Sequence, residues 1–180
     1  MNRYGARAVA GLLVALQVGG MAVMAEETTT LQGVKQPPLN TTMMGMLKGA
    51  ADYHGLGLSA PMVFGLSGHA FLINIHKQLC PSGPYCWERK KMKPLIANMG
   101  LEMTDLGFFG TGTPEADKLA IDAKLRAALD AGTPCSLMNL ENQLIDAYDG
   151  DGFSTAQPWA PNMKFPPDTL SFGTWKEFGK

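Results

Sequence analysis

Cysteine, histidine and excess charge are all scarce in this chain. Its 180 residues hold three cysteines and three histidines. The tightest grouping of these is His76, Cys80 and Cys86, which falls short of the four closely spaced ligands that zinc sites use. No metal and no cofactor is therefore expected. Fifteen basic side chains stand against 16 acidic ones, a balance with no electrostatic footprint for nucleic acid. After residue 25 no apolar run is long enough to cross a bilayer, and no segment repeats.

What the chain does have begins with a targeting signal. Arg3 and Arg7 precede the apolar, small-residue stretch Ala8–Met24, and Val23-Met24-Ala25 suits a signal peptidase. That stretch is short and broken by Gln17 and Gly19-Gly20, so residues 1–25 read as a cleaved signal rather than an anchor. The expectation is a bacterial protein that is periplasmic or secreted. Loss of Arg3 and Arg7 leaves 13 basic and 16 acidic side chains. About 155 residues remain, enough for one domain with a real core. Residues 26–39 are polar, end in Pro37-Pro38 and read as an extended linker, leaving 40–180 as a single domain. Export permits disulfides. Cys80 and Cys86 flank Pro81-Ser82-Gly83-Pro84-Tyr85, a loop able to fold back, so a Cys80–Cys86 disulfide is expected, with Cys135 buried and inert in a strand.

The stretch Asn40–His76 organises the domain. Asn40, Thr41 and Thr42 offer N-cap oxygens, apolar residues recur from Met43 to Ala51 at helical spacing, and Gly55 ends the helix. Ser59-Ala60-Pro61 restarts a short helix. Gly65 and Gly68 suggest close approach or positive φ, and Ala70–Ile75 reads as a buried strand. Glu88–Met99 reads as a helix with a solvated basic face, with Pro94 kinking it or sitting in its first turn. Leu101–Phe109 reads as a strand. Thr113-Pro114-Glu115 opens a helix with Thr113 as its cap, Leu119, Ala123 or Ile121, Leu125 and Ala128-Leu129 on its core face and Gly132 as its stop. Pro134–Leu140, Gln143–Tyr148 and Phe153–Gln157 read as strands, with Asp149-Gly150-Asp151-Gly152 as a hairpin turn. Helices first and strands later predict an α+β fold, N-terminal helices packed on a C-terminal antiparallel sheet.

Tyr53-His54-Gly55 followed by Leu58-Ser59-Ala60-Pro61-Met62-Val63-Phe64-Gly65-Leu66-Ser67-Gly68 resembles the opening of papain-like cysteine peptidases of the bacteriocin-leader peptidase type, and of the N-terminal domain of the butirosin-biosynthesis acyltransferase. The second half is similar to them in frame: Gly132-Thr133-Pro134, then Glu141–Asp149, then Gln157-Pro158-Trp159. The resemblance runs from about Asn40 to Trp159 and implies a papain-like fold. In those families a cysteine opens the first helix, a histidine opens the second strand and an aspartate precedes the Pro-Trp pair. Here the corresponding places fall at about Thr41 to Met43, with Thr42 between them, at Asn142 (or its neighbours Glu141 and Gln143) and at Gln157.

A thiol nucleophile needs an imidazole and a third group to orient that imidazole, and all three positions are replaced. The resemblance therefore implies a non-catalytic, pseudo-peptidase domain that binds a peptide or small acyl-type ligand in the former cleft. That cleft would be lined by Thr41, Thr42, Ser67, Gly68, His69, Glu141, Asn142, Gln143, Gln157 and Trp159. Three other readings stand beside it. A displaced thiol, Cys80 or Cys135 with His69, would make a cysteine-dependent hydrolase or acyltransferase. Thr42 with Glu141 as base would make a hydroxyl nucleophile, although a threonine that opens a helix is ordinarily only a cap. The last is a purely structural module. Met43, Met44 and Met46 have the look of a copper(I) set, but methionines at helical spacing ordinarily fill a core.

Overall fold

The computed structural model describes residues 28–73, 75, 77–78, 89–108, 110, 112–139, 141–150, 152–156 and 169–170. In chain order the elements are β1 (Thr29–Thr30), α1 (Thr42–Tyr53), α2 (Ala60–Leu66), a 3-10 turn (His69–Phe71), α3 (Arg89–Ala97), α4 (Glu115–Asp130), β2 (Cys135–Asn139), β3 (Glu141–Tyr148), β4 (Phe153–Thr155) and β5 (Thr169–Leu170). Helices precede the main strands, and every strand pairing among the described residues is antiparallel, so the α+β architecture is the observed one.

β3 is the hub of the sheet. β2 pairs with its first half, from Asn139 opposite Glu141 to Cys135 opposite Ile145. β1 continues along the same edge, with Thr29 opposite Tyr148. β4 takes the other edge and carries β5 beyond it. The β3–β4 register shifts between Ile145 and Ala147, an inserted residue of the kind that bends a strand. The Asp149–Gly152 turn closes this hairpin, with the Gly152 amide on the Asp149 carboxylate at 3.1 Å.

α1 forms because Thr41 caps it, accepting from the Met44 amide at 3.3 Å, and because its inward face is apolar. Met44, Leu47, Leu144 and Ile145 are fully buried where α1 meets β3. Burial of each such side chain contributes about 2 kcal/mol relative to exposure. Two glycines one turn apart shape the opposite flank. A Cβ on Gly45 would lie 2.6 Å from the Pro37 carbonyl oxygen, and one on Gly49 would collide with the Lys35 carbonyl oxygen. The backbone of Lys35–Pro37 therefore lies directly on the helix. Residues 28–39 are joined to the body, not strung out from it: Leu31, Val34 and Gln36 are buried, and the Leu31 amide bonds the Asp146 carbonyl at 2.7 Å.

Several expectations need correction. Ala70–Ile75 is not a buried strand. Gly68 adopts φ +75° with its α-carbon against Leu95, so the chain leaves α2 through a 3-10 turn. Phe71, Ile73 and Ile75 then stand 81%, 86% and 76% exposed. Described residues 101–108 contain no strand. Pro114, not Thr113, precedes α4 as its N-cap; the Thr113 hydroxyl instead accepts from the Gly110 amide at 2.9 Å. Leu119 faces solvent, while Lys118 is buried beside Glu115. The expected disulfide is corrected too. No disulfide occurs among the described residues, where Cys135 is a free buried thiol, and Cys80 and Cys86 lie outside them.

Candidate functional site

The first turn of α1 and the first residues of β3 meet through Thr42. Its hydroxyl donates to Glu141 Oε2 at 2.6 Å and accepts from the Asn142 amide at 3.1 Å. Local sequence accounts for the placement. Thr41 fixes the start of the helix, which sets Thr42 at its first helical position, and the β2–β3 pairing fixes the start of β3. Thr42, Glu141 and Asn142 are each half-buried. The helix leaves its first amides without intrahelical acceptors, and its positive end favours the Glu141 carboxylate beside it.

Beneath this contact lies Gln36, which sequence reasoning passed over. Its Nε2 donates to the Asn142 carbonyl at 2.9 Å and to the Thr42 carbonyl at 3.3 Å, while its Oε1 accepts from the Leu144 amide at 2.8 Å. The Gln36 amide nitrogen in turn bonds the Ala156 carbonyl at 2.9 Å, and the Ala156 amide bonds the Leu144 carbonyl at 2.8 Å. The side-chain amide thus stands in for the next peptide group of β4 along β3. Both of its N–H groups are engaged, so it is not a donor held ready for a ligand. The Gly45-x3-Gly49 pair was the one sequence signal that something lay against this flank of α1.

The remaining candidates are placed differently. Thr41 is buried as the helix cap. Ser67 is fully buried, 3.3 Å from the Phe64 carbonyl and 3.4 Å from Met44 Sδ, and accepts from the His69 amide at 3.4 Å. His69 is buried with its ring 5.4 Å from that of Phe64. Burial lowers its pKa below the usual imidazole value, which favours the neutral ring. Gly68 is the left-handed residue between them. Ser67, Gly68 and His69 therefore belong to the junction of α1, α2 and α3. Gln143 is buried in mid-β3, and its Oε1 has no hydrogen-bond partner among the described residues. Gln157 and Trp159 lie outside the described residues. Met43, Met44 and Met46 are core residues, and no group of metal-ligating side chains occurs among the described residues.

Cys135 is the only thiol among the described residues. Burial pushes its pKa up to about 11, away from the thiolate that a nucleophile requires. A recess of about 240 Å³ lies at the far end of β3, lined by Thr28, Thr30, Tyr148, Phe153 and Ser154 among others. Its surroundings are structural. Arg126 stacks 4.6 Å from the Tyr148 ring centre and donates to the Asp149 carbonyl. Asp130 accepts from Thr29 and Tyr148, both at 2.7 Å, and these bonds hold its carboxyl below the usual range.

The chemistry available at Thr42 is limited. A carboxylate is a weak base toward an alcohol, whose pKa lies far above that of a thiol. No imidazole stands at the contact: among the described histidines, His69 belongs to the helical junction and His54 to the far end of α1. No helix among the described residues is long and apolar enough to cross a membrane. No family model, curated protein or solved structure matches this chain, so the resemblance to leader-peptidase-like domains draws no support from those comparisons.

Proposed function

We propose that this chain is an exported, non-catalytic domain of papain-like architecture that holds a peptide or small acyl-type ligand where α1 meets β3. The observation that carries the reading is the Thr42 contact. In the resembled families the nucleophile opens the helix and the base opens the strand. The resemblance assigns those places to Thr42 and Asn142; the Asn142 backbone N–H donates to the Thr42 hydroxyl at 3.1 Å, and neither side chain supplies a thiolate or an imidazole. What stays accessible is polar recognition. Glu141 and Asn142 are half exposed beside the start of a 12-residue helix, an arrangement suited to holding the N–H and carbonyl groups of a peptide without cleaving it. The raised pKa of Cys135 counts against Cys135 as the displaced thiol, and Cys80 lies outside the described residues.

One observation favours a second reading. The 2.6 Å Thr42–Glu141 hydrogen bond is also the geometry of a hydroxyl nucleophile with a carboxylate base. A single experiment separates the two. The protein is incubated with activated acyl esters and its intact mass recorded, while binding of N-acyl peptides is followed by calorimetry. The proposal expects no adduct, together with peptide binding that Thr42→Val and Asn142→Ala weaken. An acyl adduct on Thr42 would establish the nucleophile instead. Absence of both adduct and binding in the folded protein would leave a purely structural module.

A further inference from the structure

On one edge of β3 the Asn142 amide, the Asn142 carbonyl and the Leu144 amide are met by the side chains of Thr42 and Gln36, where a strand would supply backbone. Gln36 Nε2 donates to α1 and to β3 at once, at the Thr42 carbonyl and the Asn142 carbonyl. These are the same two residues whose hydroxyl and amide make the Thr42–Asn142 bond. Elsewhere α1 meets β3 through Met44, Leu47, Leu144 and Ile145. Apolar contact is non-directional. It holds the helix on the strand without fixing the first turn of α1 against the first residues of β3. Hydrogen bonds carry that direction.

We infer that Gln36 is the positioning residue of the Thr42 contact, and that residues 29–36, which present it, order the site from outside. Gln36 is only 4% exposed, so it acts through Thr42 and Asn142 and not by touching a ligand. Its own backbone is tied down on several sides. The Thr29 hydroxyl donates to Asp130, Leu31 and Val34 are buried, and the Gln36 amide nitrogen bonds the Ala156 carbonyl at 2.9 Å. The Lys35 and Pro37 carbonyl oxygens lie against Gly49 and Gly45. A supporting group fixed in this way keeps a binding geometry that a loose one would lose. The inference rests on the reading that a ligand is held at Thr42, and adds that the site depends on a segment remote from it in the chain.

The test is amide hydrogen exchange of the full chain by nuclear magnetic resonance, with Asn142 as the reporter and Leu47, in mid-α1, as the reference for general opening. Gln36→Met keeps the length of the side chain and removes its polar atoms. Exchange at Asn142 should rise about tenfold relative to Leu47, the loss of roughly one buried hydrogen bond. Gln36→Glu places a carboxylate against two carbonyls at neutral pH. Burial raises the pKa of a carboxyl, so mild acid should return its O–H as a donor. Protection at Asn142 relative to Leu47 should then recover as pH falls, a profile that neither wild type nor Gln36→Met shows. Exchange that rises equally at Asn142 and Leu47, or stays unchanged at Asn142, would overturn the proposal and leave Gln36 a structural residue. Calorimetry with N-acyl peptides gives the second readout. Gln36→Met should raise the Kd about tenfold. An unchanged Kd with an opened Asn142 amide would also overturn the proposal. If wild type binds no peptide, the reading of a ligand at Thr42 falls, and the exchange ratio still decides whether Gln36 sets the contact.

Discussion

Met43–Leu47 and Phe71–Ile75 are both apolar runs of comparable length, and they meet opposite fates. The first lies under β3 and under the backbone of Lys35–Pro37, with Met44 and Leu47 fully buried. The second leaves a 3-10 turn and exposes its largest side chains. The difference is one of partners rather than composition. α1 has a cap, a glycine flank and a central strand in register with it. The later run begins at a left-handed glycine wedged on α3 and finds no strand to join among the described residues. Apolar sequence gives the tendency to be covered, and the neighbouring elements decide whether anything is there to cover it.

The sharpest way to break the covered side is Gly49→Ala. The new methyl would meet the Lys35 carbonyl, a backbone atom that cannot swing aside. A loss of about 3 kcal/mol is expected, read as a lower urea midpoint. Gln36→Leu should cost about 2 kcal/mol, because the Leu144 amide and Asn142 carbonyl lose a buried partner. Hydrogen exchange at Leu144 should rise with it. Thr42→Val keeps the shape and removes one donated and one accepted bond. About 1 kcal/mol is expected, and a double-mutant cycle with Glu141→Gln should show coupling between the pair.

A pH series sharpens the comparison at the junction between the two runs. His69 has a folded pKa below its ordinary value of 6.5. The unfolded chain therefore binds the extra proton first, so stability is fully present above pH 6.5 and declines as pH falls toward the folded value. Replacing His69 by Gln should flatten that slope in thermal unfolding between neutral pH and about pH 5. The open run should give the smallest effect. Ile73→Ser changes an 86% exposed side chain, so stability should stay within roughly 0.5 kcal/mol of wild type. A larger loss would mean that the run is covered in solution.

Much of the covered side was legible in the sequence. Thr41 and Ser59 cap α1 and α2 as their side chains suggest, and the three main strands of the sheet fall near the expected segments. These features rest on local chemistry and on two-residue or helical periodicity, which a linear sequence carries. What failed depends on tertiary partners. Residues 70–75 have strand composition but no ladder among the described residues. Leu119 has the right helical spacing, yet Leu129, near the other end of α4, is the residue that reaches the core. Gln36 sits in a polar stretch ending in two prolines, and its role appears only once β3 lies beside it. An isolated glutamine carries no mark that its amide will replace a peptide group.

That replacement sets the order in which the molecule can be completed. Gln36 bonds residues 106 and 108 positions further on. α1 is among the first elements to be synthesised, yet its inner face stays unpaired until residues near Leu144 have been made. Closing so long a loop is slow compared with local helix formation. The Gln36 contacts therefore cannot form in the growing chain until β3 has been made.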